Sequence, residues 1–207
     1  MRLALAALSG VAVWLWLDWT DGPFLYDEGP LWVRAVHYLV PGCLFAAGVL
    51  IPELPASRGF VRRALGLIIA SAASFFAAVT LADRGAEWFG LASGSWEPSL
   101  YSLLLASVAG AAIVLAATGW LIGADRPLRL WVAGMIAALL GGLAVHGGFA
   151  FAGFEIASFA IWHLLLCLAV RFGRGWEMPL PAFRPLIRSA RAVLPGGRLW
   201  RLWVPQT

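Results

Sequence analysis

Apolar runs separated by short polar connections recur six times along this chain. They lie near Leu3–Leu17, Leu31–Ile51, Ala64–Ala82, Ser99–Gly123, Leu130–Ala150 and Phe154–Phe172. About 20 apolar helical residues cross about 30 Å of hydrocarbon, and tilt absorbs a few residues of mismatch. The pattern predicts an all-α, polytopic membrane protein with a single bundle of six transmembrane helices. Short connections make sequential helices antiparallel neighbours. The first run begins like a signal peptide but ends in Trp14-Leu15-Trp16-Leu17-Asp18-Trp19, with no small-residue cleavage site, and reads as an uncleaved signal anchor. No internal duplication marks a repeat-built transporter, and Pro41 is the one break inside a run.

Beyond Phe172 the pattern changes, dividing the chain into a transmembrane domain over 1–175 and a cytoplasmic basic tail over 176–207. Phe183, Leu186, Ile187, Ala190, Val193 and Leu194 have helical spacing, with Arg184, Arg188 and Arg191 on the other face. Arg198 and Arg201 follow among tryptophans. An amphipathic basic segment of this kind predicts a C-terminal interfacial helix on anionic inner-leaflet lipids, each Arg contributing about 1 kcal/mol near the surface. Docking onto another membrane subunit is the competing expectation.

Composition narrows the class. The chain is 61% hydrophobic and 13% charged, with a mean hydropathy of +0.83, so its expected solvent is the lipid bilayer. It has no lysine and no asparagine, which excludes lysine Schiff bases, a P-loop lysine and N-glycosylation. Abundant Arg, Ala, Gly and Trp point to a GC-rich bacterial genome.

Charge sets the expected orientation. Thirteen of the 15 arginines fall on one side of the six runs, leaving Arg34 and Arg84, while eight of the 11 acids fall on the other. Arginine bias near helix ends places the arginine side, and both termini, in the cytoplasm of a bacterial inner membrane. The basic balance is then a matter of topology and implies no nucleic acid.

Small residues and histidines are the remaining signals. Gly134, Ala138, Gly142 and His146 form a stripe on the fifth run, and Ala70, Ser74 and Ala78 one on the third. Helix packing is the plain expectation for both, and the fifth-run stripe also offers a groove for a flat ligand. His37, His146 and His163 lie on three different runs at comparable counted depth, within about 6–12 Å of the outer boundary. Pro41 lacks an N–H, so the helical acceptor it leaves empty is the His37 carbonyl. Cys43 and Cys167 lie singly on separate runs and are expected to pack.

Two chemistries fit these histidines. In one, His37 and His163 ligate a haem b iron from facing helices, with Arg34 near a propionate, as in a subunit of a redox assembly. In the other, His37, His146 and His163 converge on Zn²⁺ with an open position for water and Glu155 or Asp18 as base. Interhelical hydrogen bonding is the bland alternative, and with it a cofactor-free accessory or scaffold subunit.

The stretch Phe159-Ala160-Ile161-Trp162-His163 resembles the last helix of alkaline-ceramidase-like membrane hydrolases, whose motif is His-x-x-x-His with Trp before the second His. Ser74-Phe75-Phe76-Ala77-Ala78 is similar to that family's Ser-x-x-x-His segment. Only His163 matches as a ligand. Phe159 and Ala78 occupy the other histidine positions, and the chain has one helix fewer. What the resemblance implies is a zinc-dependent intramembrane hydrolase with His163 among its ligands.

Overall fold

The computed structural model describes residues 1–20, 31–56, 58–88, 100–151 and 154–176, with 31–35, 83–88 and 149–150 described by backbone alone. Among them are six helices long and apolar enough to span a membrane. They are α1 (Arg2–Trp19), α2 (Leu31–Phe45), α3 (Phe60–Trp88), α4 (Leu100–Leu121), α5 (Pro127–Ala150) and α6 (Glu155–Gly173). The second span continues past α2 through a π turn, Ala46–Leu50, and a 3₁₀ turn, Ile51–Glu53. The chain divides after Gly175, and residues 177–207 of the second unit, including Arg184, Arg188, Arg191, Arg198 and Arg201, lie outside the described residues.

Helix α3 runs beyond the expected Ala64–Ala82 at both ends. Apolar character marks the lipid-facing stretch, whereas arginines and acids continue a helix readily, so the helix outlasts the hydrophobic run. Proline at the first position starts α5, where a missing N–H costs nothing. Gly123, with φ +87°, follows the end of α4 in a conformation that side chains resist.

Each helix packs on its predecessor, and α6 returns to α1, closing a ring. Lipid supplies no hydrophobic drive between helices, so close backbone approach carries the packing. A Cβ on Gly10 of α1 would lie 2.5 Å from the Phe159 carbonyl oxygen and 2.6 Å from Ala160 Cα on α6. On Gly42 of α2 it would lie 2.5 Å from Ala72 Cα of α3. Both expected small-residue stripes are packing seams. Ser74 donates to the Gly110 carbonyl of α4 at 2.7 Å, and a Cβ on Gly142 would meet Ser107 Oγ of α4 at 2.7 Å. Leu115 of α4 fills the position over Gly134, so the fifth-helix groove is occupied by its neighbour.

Buried apolar residues form two clusters along the ring's axis. Leu50, Leu67, Leu115, Leu130, Leu166 and Val170 belong to the one toward the arginine-bearing end. Val13, Leu17, Ala82, Leu103, Val145 and Phe159 belong to the one toward the opposite end.

Candidate functional site

Two histidine contacts inside the spans are built from α1, α2 and α6. Ser9 and His163 are both buried, and Ser9 Oγ lies 2.8 Å from His163 Nδ1. The same hydroxyl donates to the Ala6 carbonyl at 2.8 Å, the habit of serine within a helix. With its proton committed there, the pair is satisfied when His163 carries its proton on Nδ1 and donates to Ser9 Oγ. The imidazole edge packs on the Phe45 ring, centroids 4.9 Å apart at 88°. Serine and histidine at this distance have the spacing of a nucleophile and its base. Here the Ser9 side chain is pressed against Gly48 of the π turn, where a Cβ would collide with it. The hydroxyl is buried, and the contact ties α1 to α6.

His37 meets other neighbours. Its ring is edge-on to Tyr38, centroids 5.3 Å apart, and Tyr38 packs in turn on Phe75 and Phe76 of α3. Its carbonyl, the acceptor left empty by Pro41, receives Trp16 Nε1–H of α1 at 3.3 Å. Chain pattern identifies this acceptor, but only the bundle supplies the donor. Trp16→Phe should therefore destabilise the protein by about 1 kcal/mol. Pro41→Ala restores an N–H one turn along, so Trp16→Phe made in that background should cost markedly less. A thermal-unfolding cycle in detergent measures the coupling. Equal costs in both backgrounds would show that the carbonyl does not depend on Trp16.

These contacts separate the two histidines. His163 lies beside Phe45, eight residues from His37 on the same span, or about 12 Å of helical rise. The α1 contacts agree, since Ser9 and Trp16 are about 10 Å apart along their helix. The start of α6 is level with His37, so equal counting from the helix ends did not mean equal depth. The structure does not bring the His37 and His163 rings together as axial partners about 4 Å apart. His146 is half-buried near the far end of α5. Among the described residues no three His, Cys, Asp or Glu side chains gather as metal ligands. The Arg34 side chain lies outside the described residues.

Two cavities among the described residues lie inside the ring. One of about 30 Å³ is lined by His163, Phe45, Pro41, Ser71 and Trp162 among others, and one of about 50 Å³ lies toward the acidic end between Leu17, Leu103, Val145 and Phe159. Spaces of this size hold a few waters at most.

A second polar centre closes the arginine-bearing end. Glu53, on the 3₁₀ turn, is 4% exposed. Arg2 Nη1 donates to both of its carboxylate oxygens at 3.0 Å. Arg174 Nη1 donates to Oε2 at 3.2 Å and to the Glu53 carbonyl, and Arg171 Nε lies 3.6 Å from Oε1. One carboxylate thus clamps the start of α1 to the end of α6. Sequence reasoning passed over Glu53 and Ser9. For Glu53 a signal existed, because it is one of only three acids on the side that holds the arginines and lies at the end of a span. Ser9 carries none, as serine is common inside membrane helices.

Compared with known protein families, characterised proteins and solved structures, the chain matches none.

Proposed function

We propose that this multi-pass membrane protein is a cofactor-free accessory subunit of a bacterial inner-membrane complex. Its six-helix ring holds itself together and offers its lipid-facing helix surfaces to larger partners, with both termini cytoplasmic. One observation carries the reading: three polar contacts inside the spans are helix-to-helix ties. Ser9 and His163 join α1 to α6, Ser74 joins α3 to α4, and Trp16 joins α1 to α2. The two cavities, of about 30 and 50 Å³, are of a size for waters. The orientation rests on the arginine distribution.

The competing reading is a haem b subunit using His37 and His163, or a zinc centre that adds His146. Absorption spectroscopy and metal analysis of the purified protein separate them. A colourless protein without stoichiometric metal is expected, and a stoichiometric haem spectrum or one zinc per chain would overturn the accessory reading. In the same preparation series, a reporter inserted between Asp18 and Gly29 should lie outside and one after Arg174 inside. The reverse result would remove the orientation alone.

A further inference from the structure

The Glu53 clamp carries more positive charge than it neutralises. At the clamp itself the guanidiniums of Arg2 and Arg174 share one carboxylate, a formal excess of one positive charge. The carboxylate is sealed while the arginines are not: Arg2 is 48% exposed and Arg174 31%. Each guanidinium has five N–H donors in a planar fork. Glu53 engages Nη1 of both Arg2 and Arg174, fixing two forks side by side from different helices. The level in the bilayer follows from charge: the clamp lies where α1 starts and α6 ends, and arginines at helix ends sit at the headgroup interface rather than in hydrocarbon.

We propose that Arg2 and Arg174, held by Glu53, form a binding site for the phosphate of an anionic phospholipid at the arginine-bearing face of the membrane. A phosphate accepts paired N–H bonds from such forks and offsets the excess charge, which a partly dehydrated interface screens poorly. Lipid phosphates are the anions present at that level in high local concentration. The site is built from residues of the six-helix unit and requires neither the accessory role nor a particular sidedness. The chemistry recognised is a phosphate anion, so free inorganic phosphate is the other source to be distinguished.

Native mass spectrometry of the full chain in a neutral detergent, doped with equal phosphatidylglycerol and phosphatidylcholine, reads the site directly. The wild-type protein should retain phosphatidylglycerol at least about tenfold over phosphatidylcholine, because both lipids carry the phosphate but the choline cation cancels its charge and is repelled by the two guanidiniums. Arg2→Gln with Arg174→Gln should lower that ratio severalfold, and Arg2→Gln alone should lower it if the double variant does not fold. Arg184→Gln, Arg188→Gln and Arg191→Gln together should leave a clear preference for phosphatidylglycerol, and millimolar phosphate should not displace the lipid. Equal retention of the two lipids by the wild-type protein would overturn the site. A ratio insensitive to Arg2, or one lost in the tail variant, would do the same. Displacement by phosphate would overturn the lipid as its ligand.

Discussion

Glu53→Ala should lower the stability of the bundle by about 3–5 kcal/mol, the usual cost of removing one partner from a buried ion pair. The loss arises less from the missing attraction than from what remains. Three guanidiniums gathered on one carboxylate would face one another at the end of the ring, and the Arg174 contact to the Glu53 carbonyl would lose its companion. The first turn of α1 and the last of α6 would then lack their polar tie. Glu53→Gln should fall between wild type and alanine, since the amide still accepts one hydrogen bond but balances no charge. Asp125→Ala is a suitable control, being exposed at the same end, and should stay within about 0.5 kcal/mol. Thermal or denaturant unfolding in detergent provides the ranking. A loss below about 1 kcal/mol for Glu53→Ala would mean that the clamp positions charge without stabilising the fold.

Gly10→Leu should be comparably severe for a steric reason. Even a methyl at Gly10 would lie 2.5–2.8 Å from backbone atoms of Phe159 and Ala160, which have no flexible end to withdraw. Gly10→Ala should therefore cost about 1–3 kcal/mol, the range for overpacking a tight interior, and leucine more. Pushing α1 away from α6 also breaks the neighbouring Ser9–His163 bond. Gly147→Ala should have the opposite sign. Among the described residues no atom beyond its own helix backbone and chain neighbours approaches its Cβ position within 4 Å, and alanine is favoured over glycine in a helix by up to about 1 kcal/mol. Equal unfolding temperatures for Gly10→Ala and Gly147→Ala would refute the close α1–α6 approach.

The histidines illustrate why site geometry was less legible than fold. Counting residues from the end of each apolar run treats all helices as entering one plane. In the ring, α2 begins roughly two turns farther out than α6, which sets His163 beside Phe45 and its own Ser9. No local pattern records that offset. It follows from where Gly10, Gly42 and Gly48 allow backbones to meet. The small-residue stripe ending at His146 was readable as a close-packing surface, but that α4 covers it depends on the ring's closure.

What the chain determined by itself was everything governed by transfer into lipid and by covalent backbone chemistry. That includes six spanning helices, a single bundle, the gathering of arginines at one end and an unfilled acceptor at the His37 carbonyl. Only the tertiary structure decided that Trp16 fills that acceptor, that His37 and His163 stand at different levels, and that Glu53 holds Arg2, Arg171 and Arg174. Burial in lipid depends on a segment's own residues and can be summed along the chain. Helix rotation and vertical offset depend on atoms up to 154 positions apart, as in the Ser9–His163 pair, and are fixed only when the ring closes.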